Sequence, residues 1–299
     1  MSIMNPVDDN PMKSPSDHPE YKKSMEWYEN AQNNNLTPQP CVAAWIDICG
    51  FGSELEKAGW SLRELQDQHL LKLLSSVYLR LSSPFWIGVP PFPFETTLII
   101  NDGVAKTVDL TNLEHTDGIF ISKYVEELLI AHYHLLTITK KYRLGVRTVV
   151  AGGERIQYSY NEKTGYSISH YNAEQISPFT EKMLKQNYLY NPAEFQMNTA
   201  FAKAYSIDSQ GTKAGFVVNG FFIEKDFLNK LSKSTQITIE YLDKMIKISS
   251  HKLPSFDIVY DEIIPFEFKG LKTEVYRVVS AIFYEDGEKF LFDLTKASD

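Results

Sequence analysis

Cysteine is nearly absent from this chain, with Cys41 and Cys49 the only two in 299 residues. Two cysteines cannot build a disulfide framework, and no Cys or His spacing matches a zinc site. A reducing, cytoplasmic setting is therefore expected. No apolar run reaches transmembrane length. No compact apolar core follows a basic start at the N-terminus, so neither a membrane partner nor a secretory leader is expected. Clustered basic charge is also lacking: 30 Lys and Arg stand against 38 Asp and Glu, for a net charge of −8 and a pI near 5.5. That argues against a nucleic-acid partner held by a broad basic surface. An acidic protein still binds a nucleotide through metal ions. Internal repeats are missing too. What remains is ordinary for a globular chain, 43% hydrophobic and 23% charged, and long enough for one large domain or two modest ones.

Residues 1–38 are polar and rich in Pro, Asn, Asp and Ser. They read as a flexible N-terminal arm with a short helix around Tyr21 to Ala31. Met25, Trp27 and Tyr28 give that helix something to dock with. Residues 39–299 read as one domain. Cys41 to Ile48 is a buried strand. Ser61-Leu62-Arg63-Glu64 is a capping box that opens a helix carrying Leu65, Leu73, Val77 and Leu81. Pro84 to Phe94 is a Pro- and aromatic-rich connection. Thr96–Ile100 and Val104–Leu110 are strands, and Asn101-Asp102-Gly103 between them is a hairpin signal. Ile119 to Tyr142 is a long amphipathic helix. Leu144 to Ala151 is a strand closed by Gly152-Gly153. A hairpin is expected within Glu154 to His170, and Ser177-Pro178 opens a short helix. Then come a helix over Asn198 to Ser209, a strand over Gly215 to Asn219 and a helix over Ile223 to Ser232. From Thr235 the chain is strand-rich, with a hairpin about Asp286-Gly287. This order predicts an α+β sandwich, a mostly antiparallel sheet covered by helices.

The run Ala44-Trp45-Ile46-Asp47-Ile48-Cys49-Gly50-Phe51-Gly52-Ser53 concentrates chemistry. A carboxylate amid apolar residues is costly to bury unless it is paired or binds a cation. The glycines let backbone N–H groups approach a ligand closely. An acid at a strand end, followed by a turn and a helix start, is what a metal-bound phosphate site needs. Asp102 sits at a hairpin tip one strand–helix–strand excursion later. If the two strands are neighbours, both carboxylates lie at one end of the sheet. With the Ile48 carbonyl and a triphosphate, they suit two magnesium ions. Lys106, two alternations from Asp102, reads as sharing its strand face. It is a candidate phosphate or base contact, against the plainer reading of a solvated strand residue. Arg147 reads equally as a catalytic cation and as the partner of a core-edge carboxylate. His132 and His134 are two apart on a helix and face different sides. His115, His170 and His251 are isolated.

Asp47-Ile48-Cys49-Gly50-Phe51-Gly52 resembles the Asp-Ile-x-Gly-Phe-Thr motif of class III nucleotidyl cyclases, the adenylate/guanylate cyclase catalytic domain. Ile99-Ile100-Asn101-Asp102-Gly103 sits where that family has its second metal aspartate. Leu144 to Gly152 resembles its later Gly-Ile-x-x-Gly strand. Ala202 to Ser209, then Gly215-Phe216-Val217-Val218, resembles its next helix and strand. The resemblance runs from about residue 40 to 230 in the family's order. It implies a ferredoxin-like cyclase sandwich and two Mg²⁺ or Mn²⁺ ions on Asp47, Ile48 and Asp102. It implies a nucleoside triphosphate held at the Gly50, Phe51, Gly52 and Ser53 turn and a homodimer with composite sites. The activity implied is conversion of a nucleoside triphosphate to a 3′,5′-cyclic monophosphate and pyrophosphate, with Asp47 and Asp102 as catalytic metal ligands; Arg147 is the candidate to supply the missing positive charge if its side chain faces the site. The chain departs from the purine cyclases where they carry an Asn and an Arg: Ala202 and Ser206 stand there. Gly52 replaces the motif's threonine. In this the chain is similar to divergent bacterial cyclase-like proteins, including the pyrimidine cyclases of Pycsar antiphage defence. Base choice stays open. So does the alternative of a catalytically silent, cyclase-like domain that senses a nucleotide or binds a protein.

Overall fold

Strand β1 (Gln39–Asp47) buries both of its faces, which is why it reads as a continuous apolar run with one acid at its end. A computed structural model describes residues 19–82, 95–110, 117–156, 193–250, 254–285 and 287–296. The chain divides into two units, Met1–Pro38 with Ile156–Met197, and Gln39–Arg155 with Asn198–Asp299. In the first, α1 (Pro19–Gln32) and a 3-10 turn (Ala193–Phe195) are described, and Met25 and Tyr28 of α1 are exposed. The connection at Pro84 to Phe94, the turn of the hairpin expected within Glu154 to His170, the helix expected at Ser177-Pro178, and His115, His170 and His251 lie outside the described residues.

The second unit is built on one sheet. After β1 come the short helices α2 (Phe51–Lys57) and α3 (Leu62–Asp67), then α4 (Leu70–Ser82). Strands β2 (Glu95–Ile100) and β3 (Gly103–Asp109) form the hairpin, followed by α5 (Asp117–Lys140) and β4 (Arg147–Arg155). Helix α6 (Thr199–Ser209), β5 (Phe221–Glu224) and α7 (Lys225–Ser232) follow. The chain continues with β6 (Ile237–Leu242), β7 (Met245–Ser250), β8 (Phe256–Phe268), β9 (Leu271–Glu285) and β10 (Glu288–Asp293). The strand order is β2-β3-β1-β4-β5-β9-β8-β7-β6, with β10 beside β9. Among the described residues only β4 and β5 pair in parallel. The class is α+β with a mostly antiparallel sheet, as the sequence predicts.

Even-numbered Val42, Ala44 and Ile46 of β1, with Ile48 just past its end, join the main core with Leu73 and Val77 of α4, Val125 and Leu129 of α5, and Phe227 of α7. Odd-numbered Cys41 and Ala43 meet Ala200 of α6 on the opposite face. The antiparallel registers of β3 and β4 carry the same division sideways. Several local expectations change. Ser61 does cap α3, accepting the Glu64 amide at 3.3 Å. The helix it opens nevertheless breaks before α4, where His69 takes φ 61°. Gly215–Asn219 is not a strand: Gly215 takes φ 90° and Asn219 φ 61°, and the next strand starts at Phe221. Ile223 consequently belongs to β5, and α7 begins at Lys225.

Gly152 and Gly153 do not close β4; the strand runs through them to Arg155. A Cβ on Gly153 would lie 2.4 Å from the Ala200 nitrogen, and one on Gly152 2.6 Å from the Asp226 backbone. The glycines thus let α6 and α7 sit directly on the strand from opposite faces. Gly153→Val is expected to lower stability by about 1–3 kcal/mol through overpacking, read as a lower urea midpoint at unchanged slope.

Candidate active site

Asp47 ends β1 with Gly103 of β3 on one side and Arg147 of β4 on the other. As an odd-numbered residue it projects to the α6 face, together with Trp45. Past Asp47 the chain is tied to both neighbours. The Ile48 amide donates to the Asp102 carbonyl at 3.2 Å, and the Gly145 amide to the Cys49 carbonyl at 3.2 Å. The antiparallel register therefore brings the hairpin residue Asp102 beside the end of β1. Asn101 takes φ 54°, which a short amide side chain tolerates, and the Tyr78 hydroxyl of α4 donates to its carbonyl.

Sequence reasoning missed Asp208. It stands near the end of α6 on the helix's buried face, which also holds Ala200, Ala204 and Ile207, and it is 6% exposed. Its two oxygens serve two donors. Oδ2 accepts the Trp45 indole N–H at 3.1 Å, and Oδ1 accepts Arg147 Nε. Arg147, 8% exposed, also donates from Nη1 to the Phe216 carbonyl at 2.9 Å. An acid one position past Ile207 and four past Ala204 was the available signal, because a carboxylate on a helix's apolar face demands a partner.

Negative charge outweighs positive here. Burial, then Asp208, then Asp102 push the Asp47 carboxyl up from 3.8 to about 7, against the pull of Arg147 and of the Cys49 thiol, which donates to it. Burial raises that thiol to about 12, so it remains protonated and able to donate. Asp102 is raised as well, by burial and then by Asp208, against a bond to its own backbone amide. Asp47 and Asp102 are hard oxygen donors with unbalanced charge. A magnesium-type ion bound by one or two carboxylates plus substrate phosphates suits such a pair. The Ile48 carbonyl already accepts the Phe51 amide at 3.2 Å and keeps a second lone pair. Among the described residues no group of three or more His, Cys, Asp or Glu is placed to hold a metal by itself.

The turn after Asp47 is partly committed. Gly50, at φ 93°, caps α2. The Phe51 amide is taken by the Ile48 carbonyl and the Ser53 amide by the Gly50 carbonyl at 3.1 Å. The Gly50 and Gly52 amides make no backbone hydrogen bond among the described residues. Ala202 is exposed and Ser206 half-buried on α6, and neither offers an amide or guanidinium.

Lys106 is not brought to this site, which corrects the expected shared face. Even-numbered β3 residues turn toward α4 and α5. Lys106, 3% exposed, meets Glu95 at 2.7 Å and Glu127 at 3.8 Å and donates to the Leu81 carbonyl at 3.1 Å. Its charge is consumed inside the opposite layer. His132 and His134 diverge as expected. His132 bonds the Thr148 hydroxyl at 2.9 Å and is lowered to about 4 by burial, and His134 accepts from Arg80 Nε at 3.0 Å.

No family model matches the chain, and no curated protein matches it. Among solved structures, the chain is similar to the crystal structure of the guanylyl cyclase Cya2, with 13% identity and a TM-score of 0.43 over 82% of this chain and 93% of that one. It is also similar to the catalytic core of a rhodopsin-guanylyl cyclase with converted specificity in complex with ATPalphaS, with 9% identity and a TM-score of 0.39 over 81% and 95%. No helix among the described residues is long and apolar enough to cross a membrane.

Proposed function

We propose that this chain is a nucleotidyl cyclase, converting a nucleoside triphosphate to a 3′,5′-cyclic monophosphate and pyrophosphate. The observation that carries this reading is the Asp47–Asp102 pair at one end of the sheet, whose excess negative charge makes it a cation site in want of an ion. Asp47, Asp102 and the Ile48 carbonyl would hold Mg²⁺ or Mn²⁺. The chemistry such ions supply when bound is activation of the ribose 3′-hydroxyl and stabilisation of the pyrophosphate leaving group. Gly50 and Gly52 have amides to offer phosphate oxygens, and Arg147 adds the positive charge on the same face. Lys106 drops out of the proposed site. The wider setting we propose is cytoplasmic, with two chains pairing across composite sites. A pyrimidine substrate and a role in antiphage signalling fit the missing Asn and Arg at Ala202 and Ser206.

One observation favours a second reading. Arg147 is engaged by Asp208 and the Phe216 carbonyl, as a silent nucleotide-sensing domain would tolerate. Purified protein incubated with Mn²⁺ and ATP, GTP, CTP or UTP separates the two. Pyrophosphate and a cyclic product from one of these are expected. Nucleotide binding without turnover of any of the four would leave only the sensor.

A further inference from the structure

We propose that Asp208 is the positioning residue of this site, a role that rests on the nucleotidyl cyclase reading above. Its carboxylate is a two-pronged clamp. One oxygen takes the Trp45 indole N–H and the other takes Arg147 Nε, joining β1 to β4 from a helix laid across both. The indole itself is braced edge-on by Phe201 at 5.9 Å and Tyr205 at 5.4 Å between ring centres. This fixes where Asp208 stands. With the Phe216 carbonyl on Nη1, the Arg147 guanidinium is held at two points and its plane is set. A guanidinium carries five N–H donors in a rigid fork. Those left over make no hydrogen bond among the described residues. Arg147 is directly opposite Asp47 in the β1–β4 register and on the same sheet face. The donors it retains are therefore available beside the carboxylates that would carry metal-bound phosphate. Asp208 touches neither metal nor phosphate in this arrangement. It acts through Arg147, and its target is the anionic end of the nucleotide rather than the base or ribose.

This role differs from a purely structural ion pair in what it does to ligand preference. Calorimetric titration of the intact protein with Mn²⁺ and each of ATP, GTP, CTP and UTP, and with the matching nucleosides, reads that difference. Asp208→Asn is expected to weaken the preferred triphosphate by about tenfold while its nucleoside is held as before. Asp208→Glu is expected to recover part of the loss. Unchanged or tighter triphosphate binding by Asp208→Asn would overturn the proposal, the latter by showing that Asp208 withholds Arg147 instead of presenting it. Absence of triphosphate binding by the unaltered protein would instead overturn the cyclase reading. Should Asp208→Asn fail to fold, Trp45→Phe removes one prong and leaves the charges. The triphosphate-to-nucleoside ratio should then fall by about threefold, and an unchanged ratio would count against the clamp.

Discussion

Arg147→Met is expected to lower the free energy of unfolding by about 3–5 kcal/mol. The partner left behind, Asp208, is 6% exposed and would keep only the Trp45 indole N–H. One neutral donor does not compensate a buried carboxylate. The loss is large against the roughly 5–15 kcal/mol that holds a typical domain together. The pair itself contributes little, because removing two charges from water costs about as much as their attraction returns. The double variant Arg147→Met, Asp208→Leu should therefore recover part of the stability, the remainder being lost at the Trp45 indole N–H and the Phe216 carbonyl, which no longer have these partners. Urea titrations of the single and double variants measure this directly. A single variant as stable as the parent would mean that Asp208 is hydrated and the pair is a surface contact.

Asp47→Asn is expected to abolish turnover while raising stability at neutral pH. The activity loss should exceed the 10- to 100-fold, roughly, that losing a mere supporting partner of a metal ligand costs. The stability change follows from proton linkage. Asp47 titrates at about 7 in the fold against 3.8 unfolded. Between these values the folded state binds the extra proton, so the contribution of Asp47 to stability is most favourable below about pH 4 and is lost as pH rises toward 7. The shift corresponds to a penalty on the order of 4 kcal/mol above pH 7, at about 1.4 kcal/mol per unit. Asp47→Asn removes the charge and should flatten that pH dependence. Mn²⁺ should offset the same penalty, raising the melting temperature of the parent at pH 8 more than at pH 5 and leaving Asp47→Asn unmoved. Thermal melts across pH, with and without Mn²⁺, test all three statements. Parallel profiles for the parent and Asp47→Asn would show that Asp47 is not burdened by its neighbours.

Opposite signs for activity and stability mark a site whose charges are arranged for a ligand and not for the fold. The rest of the acidic cluster shows why this was only partly legible in the residues. Asp47 announces itself because an acid interrupts an apolar strand and a glycine turn follows. Asp102 announces itself through turn chemistry. Both signals lie within a few residues of the group concerned. Asp208 is contributed by a helix far along the chain, and nothing near it in sequence names Trp45 or Arg147 as its partners.

Local chemistry in the sequence determined the strand that ends at Asp47, the Asn101-Asp102-Gly103 hairpin, the Ser61 cap, the long α5 and the strand-rich C-terminal part. Each depends on side-chain periodicity or on a few backbone torsions. The tertiary structure alone decided which charges are spent and which remain. The fold turned Lys106 away to Glu95 and Glu127, because Asp102 lies in the turn before β3 and the alternation of faces begins only at Gly103. Close helix packing kept β4 running through Gly152 and Gly153, where the sequence reads a stop. The loop at Gly215 to Asn219 gave up its expected strand and placed the Phe216 carbonyl on Arg147. Pairing across the sheet is set by the sum of long-range burial and hydrogen bonding, so no window of the sequence contains it.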